Sequence, residues 1–369
     1  MSRKLSIQFV RYLCLGIIVC VVAIAPIVLV NATLSPRPPV SLSPSLLIQN
    51  IAQAAKPEPL VKEVATVGMT VSNMEEAIAF YTQILPFEVI DDVEVSGREY
   101  ELLQGVLGVK ARVVDMQLGE EVIELTEYLT PKGDSIPVDS QSNDLWFQHM
   151  AIVVNDMSKA YQWLRQNDVQ YVSTSPQKLP EYIEAAAGIE AFYFRDRDGH
   201  NLELIAYPPD KGNPRWQKDT EDLFLGIDHT AIAISDTKTS MNFYSDLLGL
   251  ELSGQSENYG TEQEHLNNVF GARLQISGLK ADKGMAVEFL EYLAPPDGRP
   301  FPDDSQANDL WHWETTMVVD NIEKTAQNLE QKGVEFISSG IVEVNRDLGF
   351  SQGLLVRDPD GHGIKIIQR

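Results

Sequence analysis

Hydrophobic and polar positions change rhythm along the chain in a recurring order. Over 64–71 apolar residues alternate with others, the two-residue period of a half-buried strand. Over 74–85 they recur at helical spacing, with Phe80-Tyr81 near the end. The same two rhythms return at 227–234 and 241–248, with Phe243-Tyr244, and again at 150–154 and 157–165, and at 315–319 and 322–329. Further strand-like runs follow each start: 111–117 and 122–128, 191–195 and 202–207, 271–277 and 286–293, 353–357 and 363–367. Asp198-Gly199 and Asp360-Gly361 supply hairpin turns, because glycine accepts the positive φ such turns need. The pattern predicts an α+β protein of four βαβββ modules, preceded by an N-terminal apolar helix.

Longer words repeat as well. Glu127-Tyr128-Leu129 returns as Glu291-Tyr292-Leu293. Asp139-Ser140-Gln141-Ser142-Asn143-Asp144-Leu145-Trp146 returns as Asp304-Ser305-Gln306-Ala307-Asn308-Asp309-Leu310-Trp311. Asp196-Arg197-Asp198-Gly199-His200 returns as Asp358-Pro359-Asp360-Gly361-His362. The offset stays near about 163 residues, the mark of a duplicated domain. The expected organisation is a signal anchor or signal peptide (1–31), a linker (32–60), a first domain (61–210), an interdomain linker (211–223) and a second domain (224–369). Adjacent modules are expected to close into one curved sheet, with helices on its convex side and a ligand-sized cup on the other.

Paired βαβββ modules, a Phe-Tyr helix and Asp-x-Asp-Gly-His before a Glu-bearing last strand resemble the vicinal oxygen chelate superfamily of glyoxalases, bleomycin resistance proteins and extradiol dioxygenases. The resemblance spans roughly 61–369 as two tandem domains. It implies that each module can offer one metal ligand from its first strand and one from its last. It also implies chemistry ranging from isomerisation and ring cleavage to plain small-molecule binding.

Strand alternation decides which side chains face the cups. Leu202, Leu204 and Ala206 form an apolar face, so Glu203 faces the cup. The same parity places Glu124, Glu288 and Lys365 there in the other last strands. In the first strands it selects Thr66, His149, His229 and Glu314, with His312 two residues earlier. The first domain is therefore expected to converge Thr66, Glu124, His149 and Glu203. The second would converge His229, Glu288, Glu314 and Lys365, with His312 nearby. Carboxylates facing an enclosed pocket need compensation, and each raises the other's pKa. A divalent cation on Glu124, His149 and Glu203 supplies it, as Fe, Mn, Ni or Zn, a ligand set that does not choose among them. Glu124 or Glu203 then doubles as a base. In the second cup Lys365 can neutralise Glu288 or Glu314 without metal; the alternative is a second metal site drawn from His229, Glu288, Glu314 and His312. Thr66, His265 and Lys365 are candidate substrate contacts. His200 and His362 belong to their turns, and the repeated segments around Trp146 and Trp311 read as structural joints.

Composition narrows the partners. The net charge is −24, and residues 1–54 hold Arg3, Lys4, Arg11 and Arg37 but no acid, so the remainder carries −28. Such a surface repels phosphate backbones, which argues against nucleic acid. The cysteines are Cys14 and Cys20, both inside the apolar N-terminal run, so the body has no disulfide, thiolate site or Cys nucleophile. Residues 12–30 are uncharged, and at about 1.5 Å per residue they reach across a bilayer core. Basic residues precede them, which predicts the N-terminus inside and the body outside. The body is then membrane-anchored or secreted after cleavage, touching the membrane through this segment alone. The expected function is a metal-dependent lyase, isomerase or dioxygenase acting on a small vicinal-oxygen substrate. The alternative is a non-catalytic binding protein of the same fold, which Thr66 and Lys365 favour.

Overall fold

The computed structural model describes residues 59–344 and 348–369. The apolar N-terminal run, both cysteines and nearly all of the 32–60 linker lie outside them. Among the described residues no helix is long and apolar enough to cross a membrane.

All four modules form. Module one runs Val61–Thr70, helix Met74–Gln83, Glu88–Ser96, Lys110–Leu118 and Glu121–Thr130. Module two has strand Gln148–Val154, helix Met157–Gln166, and strands Glu190–Arg195 and Asn201–Ala206. Module three has Phe224–Ile234, a helix over Thr237–Met241 continued by a π turn, Glu251–Tyr259, Arg273–Lys280 and Ala286–Ala294. Module four has Trp313–Val319, helix Ile322–Gln331, Gln352–Arg357 and Gly363–Gln368. Each module's first helix starts on an Asx cap directly after its first strand. Asn73, Asp156, Asp236 and Asn321 accept from the backbone of Glu76, Lys159, Thr239 and Lys324. Each cap satisfies a free helix N–H and contributes about 1 kcal/mol.

The strand parity holds. Met150, Ile152, Val154, Leu202, Leu204, Ile123 and Leu125 join the helices in one continuous core shared by all modules. Glu88–Ser96 and Glu251–Tyr259 were not legible as strands. They are exposed edge strands, the first rich in acids and the second in uncharged polar residues, so burial imprints no alternation on them.

The expected pairing of module one with two and of module three with four does not occur. Module one pairs with module four, Gly68 opposite Glu314, and module two pairs with module three, Ala231 opposite His149. Two nine-stranded sheets result, each taking one module from either half of the duplication. Neighbouring elements usually pair, and that default misleads when it is applied within each half of the duplication. The repeated joints clasp each other instead. Leu145 N–H donates to Arg299 O and Leu310 N–H to Asp134 O, both at 2.8 Å. Arg299 also grips the Asp144 carboxylate. A Cβ at Gly133 or Gly298 would lie 2.1 Å from Asn308 O or 1.7 Å from Asn143 O, so only glycine permits this crossing. Trp146 and Trp311 donate to Ser140 and Ser305 within their own joints, in keeping with a structural role.

Sequential modules meet through the helix layer. Tyr81 donates to Asp196 at 3.2 Å and Tyr244 to Asp358 at 3.0 Å, which accounts for the paired recurrence of Phe-Tyr and Asp-x-Asp-Gly-His. His200 and His362 hold those same aspartates within their turns.

Candidate metal centre

Each sheet brings four corresponding positions together around a local two-fold relation. In the sheet of modules two and three, Glu288 is opposite Ala231, which is opposite His149. Glu203 is opposite Ala151, which is opposite His229. In the sheet of modules one and four, Glu124, Gly68 and Glu314 take the first set of places, and Lys365, Thr316 and Thr66 the second. The same backbone scaffold thus carries His, His, Glu, Glu in one cup and Thr, Glu, Glu, Lys in the other.

In the first cup the ligand atoms converge. His149 Nε2 lies 3.0 Å from Glu203 Oε2, and His229 Nε2 lies 3.6 Å from the same oxygen and 3.3 Å from Glu288 Oε2. Donor atoms of His149, Glu203 and His229 all fall within 4.8 Å of one another, and all three side chains are buried. Neither Nε2 has a partner in hydrogen-bonding geometry despite these short separations. The groups therefore crowd one small space as ion pairs without well-formed hydrogen bonds. Leaving such buried atoms unmatched is costly, and a cation in that space would remove the cost.

Asp228 fixes the second imidazole. Its carboxylate accepts from His229 Nδ1 at 3.0 Å, Trp216 Nε1 at 2.6 Å and Tyr207 Oη at 3.0 Å. Burial would push this carboxyl up, but those hydrogen bonds and the His229 charge hold it at about 2. Burial would likewise lower the His229 pKa, yet Glu288 and Asp228 outweigh it and hold the imidazole well above its ordinary value. A metal would displace that Nε2 proton. Above the site opens a cavity of about 280 Å³ whose walls include Tyr193, Asn258, Gln263 and Leu290.

The second cup is closed. Lys365 Nζ sits 2.6 Å from Glu124 and 3.1 Å from Glu314, and His312 Nε2 lies 3.2 Å from Glu314. Burial opposes the Lys365 charge, but the two carboxylates raise its pKa. Burial would raise Glu314 too, and Lys365 and His312 instead hold it at about 2. Only about 10 Å³ of space remains, roughly one water.

The expected set of Glu124, His149 and Glu203 is therefore not assembled. Glu124 belongs to the closed cup and is spent on Lys365, while Glu203 gains His229 and Glu288 as neighbours. The second expected set separates likewise: Glu314, His312 and Lys365 stay together, while His229 and Glu288 lie in the other sheet. Thr66 and Lys365 face no substrate-sized space. His265 is exposed on helix Thr261–Asn267, whereas Gln263 and Leu266 of that helix line the open cavity. Asp228, Tyr207 and Trp216 were missed. The adjacent pair Asp228-His229 was the one available sign, since Trp216 arrives from the interdomain linker.

Comparison with known proteins decides the family. The model of the Glyoxalase/Bleomycin resistance protein/Dioxygenase superfamily matches residues 63–204 and 226–366. The chain belongs to this superfamily. Among solved structures, glyoxalase I from Zea mays superposes with a TM-score of 0.55 at 15% identity, covering 83% of this chain and 92% of its own. A dioxygenase candidate from Bacillus subtilis gives 0.53 at 13%, covering 84% and 86%. At these identities the likeness speaks to the fold alone. No curated protein matches the sequence. Superfamily members commonly bind a divalent metal, and the His/Glu cluster of the open cup is the candidate site here.

Proposed function

We propose that the protein is a metal-dependent enzyme of the glyoxalase-like type, with its single working centre between modules two and three. His149, Glu203, His229 and Glu288 would hold one divalent cation. The observation that carries this reading is the convergence of two buried, unpartnered imidazole Nε2 atoms on two carboxylates at the floor of a cavity. Two imidazoles and two carboxylates suit Fe, Mn, Ni or Zn alike. Such a cation would supply Lewis-acid activation of two adjacent substrate oxygens. The chain's own residues do the rest. Asp228 keeps Nδ1 of His229 protonated and so turns Nε2 toward the cup. Glu203 is nearly sealed off, and the side chain of Glu288 is 27% exposed, which makes Glu288 the carboxylate best placed to take and return a substrate proton. The cavity walls limit water around that exchange. Lyase, isomerase or dioxygenase chemistry on a small vicinal-oxygen compound follows.

The residues that favoured a non-catalytic binding protein, Thr66 and Lys365, both lie in the closed cup, so they do not weaken the reading of the open one. Metal analysis of the purified protein tests the proposal. One transition metal per chain is expected, lost on His149→Ala or Glu203→Ala and kept on Glu124→Ala. Absence of stoichiometric metal, or loss only with Glu124→Ala, would overturn it.

A further inference from the structure

The walls of the open cavity are chemically uneven. Its acids, Glu203, Asp228 and Glu288, all lie at the floor, and among the described residues no Lys or Arg lines it. Farther out the lining is uncharged, mixing apolar Leu179, Ile189, Ile276 and Leu290 with polar Ser253, Gln255 and Ser256. Asn258 and Gln263 add two neutral amides, 3% and 1% exposed, with side-chain oxygens enclosed by protein.

From this lining, and resting on the metal-centre reading above, we infer that the substrate is uncharged away from its two chelating oxygens: a compact molecule with a neutral body. Glu203 and Glu288 balance a divalent cation, and Asp228 leaves the floor with one further negative charge. A distal carboxylate or phosphate would enter a low-dielectric space with no counter-charge and with that acid below it. A distal ammonium would meet uncharged walls and no carboxylate at its own depth. About 280 Å³ suits a body of one or two rings. Large anionic conjugates, such as acidic peptide adducts, are selected against by charge before size matters.

The test uses the full chain loaded with Co(II), whose visible absorption reports ligand entry, and three probes that share one chelating unit. These are benzohydroxamate, its 4-carboxy derivative and its 4-aminomethyl derivative. Benzohydroxamate is expected to shift the spectrum saturably, with both charged derivatives weaker by about tenfold or more. The half-buried Ile276 offers a place to add charge, and Ile276→Lys should narrow the gap for the carboxy derivative alone. Equal or tighter binding of the carboxy derivative to the unmodified protein would overturn the inference. So would one Co(II) per chain with no spectral response to benzohydroxamate, an outcome that leaves the metal centre standing. Failure to hold Co(II) at all would remove the metal centre and this inference with it.

Discussion

The two cups share a backbone register and differ in the four side chains mounted on it. Where the open cup has Glu203, the closed one has Lys365. Where His149 and His229 stand, Glu314 and Thr66 stand instead. Both keep a glutamate at the remaining place, Glu288 or Glu124. Buried carboxylates need a positive partner in either case. The closed cup carries its cation covalently, as an ammonium on its own last strand. The open cup has an imidazolium instead, the charged His229, whose proton a metal from solution would displace. Three exchanges, of Glu203 for Lys365 and of His149 and His229 for Glu314 and Thr66, thus separate a site whose charge a metal can replace from one whose charge is fixed. The cavity volumes agree, about 280 Å³ against about 10 Å³.

The sharpest way to break this comparison is to remove the internal cation. Lys365→Ala leaves Glu124 and Glu314 buried against each other, and loss of one partner from a buried ion pair typically costs about 3–5 kcal/mol. Urea unfolding should show that loss. Glu203→Gln, measured with chelator present, should change stability by less than about 1 kcal/mol, because it removes one of two crowded carboxylates. Equal stabilities of Lys365→Ala and the parent would mean that the closed cup is not held by its ammonium.

Metal linkage comes next. A ligand bound only by the folded state stabilises it by about 3–4 kcal/mol at 100 to 1,000 times its Kd. Thermal unfolding with saturating Zn(II) and then with excess chelator should reveal a drop of that order. The drop should vanish in Glu203→Gln and persist in Glu124→Gln, whatever the latter's own stability. Persistence in Glu203→Gln would place the metal elsewhere.

Much of this was written in the sequence, and the missing part has a definite physical origin. Alternation along 150–154 and 202–206 correctly turned His149 and Glu203 inward, because burial of Met150, Ile152, Leu202 and Leu204 in the core fixes strand parity. All eight cup positions were found this way. Their grouping was not, because parity is local while the choice of partner strand is long-range. That choice rests on the interlocked joints, where Gly133 and Gly298 let two backbones cross, and a glycine in a loop does not announce what it lets pass. His265 illustrates a smaller limit. The right helix was singled out, but its two-turn length gave too little periodicity to tell the face of Gln263 and Leu266 from that of His265.

A pH profile sharpens the comparison at the turns that flank the cups. His200 Nδ1 lies 2.8 Å from Asp196 and Nε2 lies 2.8 Å from Leu310 O, so both nitrogens donate and the ring is an imidazolium tying module two to the joint before module four. The matching His362 reaches only its own Asp358, with Nε2 unpartnered. Burial would lower the His200 pKa, but Asp196 outweighs it and raises it to about 9. A raised pKa means that the stabilisation is complete below the unfolded value near 6.5 and fades as pH climbs through about 9. At 1.36 kcal/mol per pKa unit the loss is at most about 3 kcal/mol. Denaturation midpoints from pH 6 to 10 should show this decline, and His200→Asn should flatten it. An unchanged slope in that variant would assign the decline to other groups.

The smallest effect concerns the group behind the metal ligands. Asp228 immediately precedes His229, and the corresponding residue before Thr66 in the closed cup is Ala65. A cup that recruits its cation needs an imidazole held in one tautomer, and a cup filled by Lys365 does not. Asp228→Asn keeps the shape and the contacts to Trp216 and Tyr207 but weakens the grip on Nδ1. Loss of such an outer carboxylate typically lowers metal affinity about 10- to 100-fold. Competition with a chromophoric chelator measures this directly, with stoichiometry still one per chain and the protein still folded. A fall in stability without a fall in affinity would show that Asp228 merely pins the linker through Trp216. A fall in affinity that Asp228→Glu partly restores would show that it orients His229, and would tie the interdomain linker to the one cup that binds metal.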